Sequence, residues 1–166
     1  MKKLFAALLI AVLAMSASAV AATYTHDEIS FEYNEDFFGI TMDDHTDDED
    51  LIILADRNEG FVRIHLRELK DGETFPTAEE IAESMGVEVS KMDTWANFKN
   101  VLCYQFDGEN GYQESVFIAP VCDDDGEVED ILTVNIGGEP IEDEAEAMAS
   151  ADFASEVVDT LKVIDD

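Results

Sequence analysis

Alternation of apolar and polar residues with a period of two is the feature that most constrains the fold of this chain. Residues 28–33 alternate strictly, which is typical of a half-buried strand. Residues 61–69 alternate in the same way. They follow a short apolar run, residues 51–55, across a turn-like segment, and this arrangement predicts a β-hairpin. Glycine-containing turns separate three further predicted strands, which form an antiparallel meander: residues 98–106, 112–121 and 129–136.

Two segments have the pattern of helices instead. Thr77 and Glu80 have the spacing of a capping box, and the helix they begin is predicted to end at Gly86. A second apolar stripe near the end of the chain has a period of 3.6. Together with the strands, these helices predict one α+β domain over residues 23–166, in which an antiparallel meander is flanked by helices. The residues of the second stripe are Ala145, Met148, Ala149, Phe153, Val157 and Leu161.

The beginning of the chain has the pattern of a secretory signal peptide. Lys2 and Lys3 precede an apolar run over residues 4–15, and small residues with overlapping A-x-A sites follow. We therefore predict a Sec-type signal peptide over residues 1–22 and an exported protein, periplasmic or secreted. The alternative is an uncleaved anchor, but the apolar run is shorter than the roughly 20 residues that a membrane-spanning helix needs. The mature form is accordingly expected to have no membrane insertion.

Three segments resemble the PsbP-like superfamily of small exported proteins. Residues 29–33 (ISFEY) are similar to the opening strand of that family, the capped helix occupies the expected middle position, and residues 153–161 are similar to its closing helix. The family usually has a proline just after the first strand, whereas residues 34–37 keep only the aromatic Phe37. The resemblance implies an α/β/α sandwich and a binding module, since members mostly lack enzyme activity. It implies no particular site residues.

An excess of acidic residues limits the partners that such a protein can have. The chain has 40 Asp and Glu against 9 Lys and Arg, a formal net charge of −31. Proteins that bind nucleic acids neutralise phosphates with clustered cations, and a polybasic patch is needed to hold a protein on anionic lipid. We therefore expect neither nucleic acid nor an anionic membrane surface as a partner.

Two segments concentrate the acidic residues and are candidates for binding a hard cation. Residues 43–50 and 123–130 each contain six acidic residues in eight positions. Calcium takes six to eight oxygen ligands, which such segments can supply. Neither has the spacing of an EF-hand, because Val128 and Val134 occupy the required glycine and glutamate positions in the second segment. The alternative is a pair of solvated acidic loops. The candidate ligands are Asp43, Asp44, Asp47, Asp48, Asp50, Asp123, Asp124, Asp125 and Glu127.

The scarce positive charges are concentrated on one predicted strand. Arg63, His65 and Arg67 alternate, so they share the strand face that does not point to the core. One interpretation is a docking face for an anionic ligand or partner. The alternative is that these side chains pair with acidic residues on neighbouring strands, as cross-strand charges commonly do, or on a covering helix.

Motifs for catalysis are missing from the sequence. It has no G-x-S-x-G, and His26, His45 and His65 are too scattered to form a sequence motif for zinc. The two cysteines, Cys103 and Cys122, are predicted on strands whose pairing would leave them about six positions out of register, so a disulfide and two free thiols both remain open. We therefore predict an exported, non-catalytic binding module for an unidentified protein or small ligand, with no cofactor except possible calcium. The alternatives are a low-affinity calcium-binding protein and a small hydrolase.

Overall fold

The computed structural model describes residues 21–26, 28–46, 48–56, 59–107, 112–139 and 142–164 of the 166-residue chain. Within these residues the chain forms ten strands and two helices. The strands are β1 (Ala21–His26), β2 (Ile29–Asn34), β3 (Phe38–His45), β4 (Glu49–Asp56), β5 (Phe61–Glu68), β6 (Val89–Trp95), β7 (Phe98–Asp107), β8 (Gln113–Cys122), β9 (Val128–Gly138) and β10 (Lys162–Val163). The helices are α1 (Ala78–Met85) and α2 (Glu144–Thr160).

The strands form two antiparallel sheets of unequal size. The larger sheet has the order β3-β4-β5-β9-β8-β7-β6, and the smaller has the order β1-β2-β10. Strands account for 57% of the described structure and helices for 18%, so the fold is a β-sandwich. The predicted α+β class, an α/β/α sandwich with helices flanking one meander, is therefore wrong. The two-residue strand β10 was not predicted. The error lies mainly in three longer strands that the sequence patterns also did not predict: β1, β3 and β6.

All three of these strands lie at sheet edges, and this explains why their sequences carry no strand pattern. β1 is an edge of the smaller sheet, and β3 and β6 are the two edges of the larger one. Phe38 is the only buried residue that the described parts of these three strands contain. A strand without a buried face has no apolar alternation, so the periodicity on which the prediction depended is missing.

The elements that were predicted are confirmed within one or two residues at most ends. The β4–β5 hairpin and the β7–β8–β9 meander form as expected. At α1, the Thr77 hydroxyl accepts a hydrogen bond from the Glu80 amide at 3.2 Å, and the Glu80 carboxylate accepts one from the Thr77 amide at 2.8 Å. Gly86 ends this helix with a φ of 69°, a conformation that glycine adopts without strain.

The hydrophobic core lies between the inner face of the larger sheet and a layer formed by β2 and α2. Ile29 and Phe31 of β2 are almost fully buried, as are Val157 of α2 and Leu161, which directly follows that helix. These side chains pack on alternate residues of the larger sheet, which point to the same side. The buried side chains that the larger sheet contributes to this core are Phe38, Ile52, Leu54, Val62, Ile64, Leu66, Val101, Ala119, Leu132 and Val134.

The outer face of the larger sheet is covered on one half only. Ala78 and Ile81 of α1 pack on Leu102 of β7, and this small second cluster covers the β6–β7–β8 half. Among the described residues, no helix covers the outer face of β3, β4 and β5. The side chains of Arg63 and His65 therefore lie on a face that solvent reaches.

The start of the chain bears on the predicted signal peptide and on the expected absence of a membrane-spanning helix. The predicted signal peptide falls mainly on residues 1–20, which lie outside the described residues, and it stays a prediction. Neither helix in the described part of the chain combines the length and the apolar character needed to cross a membrane.

Cys103 and Cys122 are free thiols that lie opposite Phe117 and Val128 respectively. Burial raises the pKa of the Cys103 thiol, which lowers its reactivity.

Candidate functional site

A cluster of polar side chains lies where the smaller sheet meets the β3–β4 edge of the larger one. Tyr24 and His26 are two residues apart on β1, so they point to the same side of that strand. Asp43 and His45 have the same spacing on β3, and Asp50 lies directly opposite His45 on β4. We call these five residues the histidine cluster. It connects the two sheets, because β1 belongs to the smaller sheet and β3 and β4 to the larger.

Both ring nitrogens of His45 lie within hydrogen-bond distance of a carboxylate. Nδ1 is 2.6 Å from an oxygen of Asp50, and Nε2 is 2.6 Å from an oxygen of Asp43. Burial by itself lowers the pKa of His45, but the hydrogen bonds to Asp50 and Asp43 outweigh it, so the pKa is raised above its ordinary value. A histidine that donates from both nitrogens is positively charged. Below this raised pKa, the cluster therefore holds an imidazolium between two carboxylates.

Tyr24 orients one of these carboxylates. Its hydroxyl donates to the same Asp43 oxygen at 2.6 Å and lies 3.0 Å from Nε2 of His45. The hydrogen bond from Tyr24 is the largest cause of a lowered pKa at Asp43; burial opposes it, and His45 lowers the pKa further. Tyr24 thus keeps Asp43 ionised and facing the His45 ring.

His26 adds a second imidazole to the cluster. Its ring stacks on that of His45 with 3.5 Å between the centroids and 13° between the planes. The stacking of an aromatic face on a charged ring is attractive. One ring nitrogen of each histidine and one carboxylate oxygen of Asp50 all lie within 4.8 Å of one another. Two imidazoles and a nearly buried carboxylate at such distances are a donor set that suits a transition-metal ion.

Replacement of His45 by Gln is expected to lower the melting temperature (Tm) of the metal-free protein by an amount that depends on pH. Because the folded-state pKa of His45 is raised, its contribution is fully present below the unfolded value of about 6.5 and is lost as pH rises through the folded value. The pKa of Asp43 is lowered from 3.8, so its contribution is lost as pH falls through that lower value. The difference in Tm between wild type and His45→Gln should therefore be largest between about pH 4 and 6.5.

Thermal melts in EDTA over a range of about pH 3 to 9 measure this difference. The matched control is His65→Gln, because His65 contacts a single, exposed carboxylate at 3.1 Å. If the difference in Tm between wild type and His45→Gln does not change with pH, the assigned ion pairing of His45 with Asp43 and Asp50 is contradicted.

Acidic side chains converge at the end of the sandwich where β4 and β9 begin and β5 ends. A cavity of about 540 Å³ lies there beside a second one of about 340 Å³. Both are lined by Glu28, Glu129 and Asp130, so carboxylates form the wall that the two cavities share. We call this region the acidic end. The further carboxylates are Asp48, Glu49, Asp50 and Glu68 around the larger cavity, and Asp123, Asp124 and Asp125 around the smaller.

Six of the nine residues predicted as calcium ligands lie at these two places. Asp43 and Asp50 belong to the histidine cluster, and Asp50 also lines the larger cavity. Asp44 lies opposite Leu51 on the outer side of β3, away from both cavities. Asp47 lies outside the described residues. Most of the first segment belongs to the strands of the β3–β4 hairpin and not to an open loop, because β3 extends to His45 and β4 begins at Glu49.

The second acidic segment is a tight turn that leads into β9. The Glu127 amide donates to the Asp123 carboxylate at 2.8 Å, and the Asp123 amide donates to the Glu127 carbonyl at 2.9 Å. Gly126 adopts a φ of 85°, which a side chain would strain. The turn therefore holds the Asp123, Asp124 and Asp125 carboxylates beside the smaller cavity.

The predicted cationic face forms, but acidic residues of the same chain neutralise most of it. Arg67 makes two hydrogen bonds to the Glu73 carboxylate, at 3.0 and 2.6 Å, and His65 lies 3.1 Å from Glu49. The hydrogen bonding of the Arg67 guanidinium to the Glu73 carboxylate is the largest contribution to the raised pKa of Arg67. The Arg63 guanidinium lies over the Phe61 ring at 5.7 Å. A docking role for this face remains a prediction.

No protein-family model and no curated protein matches this chain. The resemblance to the PsbP-like superfamily therefore stays a prediction, as do the expected non-catalytic character and the export of the protein.

Three members of the histidine cluster, Tyr24, His26 and His45, are not singled out by the sequence patterns. The histidines are too far apart in sequence to form a motif. The pattern that points to the cluster is the repeated spacing of two in Tyr24-x-His26 and Asp43-x-His45. That pattern becomes informative only when both segments are known to be strands that face each other, and neither strand was predicted.

Proposed function

We propose that the protein binds divalent cations of the calcium type, with low affinity, at the acidic end. The observation that carries this proposal is the convergence of the two acidic segments on adjacent cavities with a shared wall of Glu28, Glu129 and Asp130. Carboxylate oxygens are the ligands that calcium prefers in proteins.

Folding itself creates the attraction for cations at this end. In the unfolded chain, residues 43–50 and 123–130 are far apart, and charges beyond about 8 to 10 Å are largely screened at moderate salt. In the folded chain, which has a net charge of −31, the end of the first segment lines the larger cavity and the second segment lines both cavities. Their repulsion opposes folding. A cation that relieves it in the folded state alone must stabilise the protein.

The size of the larger cavity supports low affinity. At about 30 Å³ for each water molecule, it has room for more than a dozen of them, so a bound cation keeps much of its hydration shell. Arg67 also lines this cavity, which places a positive charge beside any bound ion. We expect a dissociation constant (Kd) of about 10⁻⁴ to 10⁻³ M, as in other calcium sites of modest affinity.

Calcium at about ten times its Kd is expected to stabilise the folded protein by about 1.4 kcal/mol. For a chain of this size, that corresponds to a rise in Tm of about 4 °C. Thermal melts with millimolar calcium, compared with sodium chloride at the same ionic strength, measure the effect. A Tm in calcium equal to that in sodium contradicts the proposal, because screening alone then explains the stabilisation.

A pair of double variants locates the site. Asp48→Asn with Glu129→Gln removes two carboxylates from the acidic end, and the calcium-dependent rise in Tm should fall by at least half. Glu79→Gln with Glu83→Gln removes the same charge from exposed positions of α1 and should leave the rise unchanged. Equal losses in both double variants would show that calcium responds to net charge and not to this site.

A further inference from the structure

We propose that the histidine cluster is a separate site for a transition-metal ion of the zinc, nickel or copper type, bound by His26, His45 and Asp50. This site goes beyond the calcium-type binding at the acidic end, because it differs in donor atoms and in the metals that suit it. One carboxylate, Asp50, borders both places.

The three ligands come from three different strands that the fold brings together. His26 lies on β1, His45 on β3 and Asp50 on β4, and their donor atoms lie within 4.8 Å of one another. Asp50 is only 8% exposed, and the Nδ1 atom of His26 is shielded from solvent. A group of ligands that the fold already holds close together binds a metal more tightly than surface histidines do, because less ordering is required on binding.

The donor atoms select the metal. Imidazole nitrogen with carboxylate oxygen suits zinc, copper and nickel, whereas calcium and magnesium take oxygen ligands alone. The affinity of such a site should follow the general order for divalent metals, with copper above nickel and zinc, and manganese weakest. Calcium in large excess should therefore not displace zinc from this site.

The hydrogen bonds around the ligands resemble the supporting contacts of metal sites. The Tyr24 hydroxyl holds Asp43, which in turn holds Nε2 of His45 at 2.6 Å. A carboxylate on one ring nitrogen leaves the other nitrogen to face the ion and makes it a better ligand. In His45 that other nitrogen is Nδ1, which lies 2.6 Å from Asp50. A metal ion bound by both takes the place of the proton between them, and that proton leaves to solvent.

One adjustment accompanies binding. The His26 and His45 rings are nearly parallel, with 13° between their planes, so their lone pairs do not yet converge on one point. His26 belongs to an edge strand that pairs with β2 alone, and its ring can turn without breaking the larger sheet. A bound ion would then connect β1 to the β3–β4 edge through coordination bonds, which replace the stacking of His26 on His45.

Titration of the purified, metal-free protein with zinc, followed by calorimetry, and with cobalt, followed by its visible absorption, tests the site. We expect one ion per chain. His26→Gln and His45→Gln should each weaken binding by about 100-fold or more, and Tyr24→Phe by about 10-fold. His65→Gln removes a histidine from the outer face of β5 and should leave the affinity unchanged. Circular dichroism of each metal-free variant establishes that it is folded.

Retention of the wild-type affinity by both His26→Gln and His45→Gln overturns the proposal, as does an equal loss in His65→Gln. The Asp48→Asn, Glu129→Gln double variant keeps zinc binding if the two sites are separate, and His26→Gln keeps the calcium-dependent rise in Tm. Failure of one proposal is thus distinguishable from failure of the other.

Discussion

Replacement of Phe31 by Ala is expected to lower the free energy of unfolding by about 4 kcal/mol. Phe31 is 1% exposed in β2, at the centre of the smaller sheet, and its ring stacks on Tyr24 at 4.8 Å. Removal of the ring leaves a cavity between the smaller sheet, the larger sheet and α2, where side chains cannot close in fully. Urea unfolding of wild type and variant measures the loss.

Two further substitutions separate packing from other effects at this position. Phe31→Leu keeps most of the side-chain volume and should cost less than about 1.5 kcal/mol. Met42→Ala removes a large side chain that is 45% exposed and should change stability by no more than about 0.5 kcal/mol. A loss below about 1 kcal/mol for Phe31→Ala is incompatible with a smaller sheet that is packed on the core.

Replacement of Gly138 by Ala is expected to cost about 2 kcal/mol. A Cβ atom at this position would lie 2.8 Å from the Cα of Gly60 and 3.3 Å from the carbonyl oxygen of Glu59. Both are backbone atoms, so no rotation of a side chain can relieve the contact. The end of β9 and the turn between β4 and β5 must therefore move apart.

The control for this variant is another glycine of the larger sheet. Gly39 of β3 has no atom within 4 Å of the position that a Cβ would occupy. Gly39→Ala should therefore be neutral or slightly stabilising, because alanine reduces the freedom of the unfolded chain. Urea unfolding of both variants gives the comparison, and equal effects at Gly138 and Gly39 would refute the close backbone approach.

The elements with buried faces were predictable from the sequence. β2, β4 and β5 have the alternation of strands that cover a core, and the capping box of Thr77 and Glu80 defines the start of α1. These features depend on the backbone period and on neighbours within a few residues. The edge strands β1, β3 and β6 were not predictable in this way because only Phe38 among their described residues is buried, and the fold class was wrong for that reason.

The candidate sites were predictable only in part. Asp43 and Asp50 were singled out as acidic residues of one segment, but as calcium ligands and not as partners of a histidine. The contact of His65 on β5 with Glu49 on β4 is of the cross-strand kind weighed for the cationic face, whereas Arg67 pairs with Glu73 in the segment that follows β5. Nothing local in the sequence connects His26 with His45, because their contact depends on two strands of different sheets.

The sequence by itself determined the acidity of the protein, the buried strands and the capped helix, since each depends on composition or on contacts within a few residues. Only the tertiary structure decided that His26 stacks on His45 and that two distant acidic segments line adjacent cavities. The physical reason is that strand register and the packing of one sheet on another set which side chains meet. Register and sheet packing depend on contacts between residues that are far apart in sequence, and burial of the whole core determines them. The positions of the polar residues at the sheet edges follow from that packing.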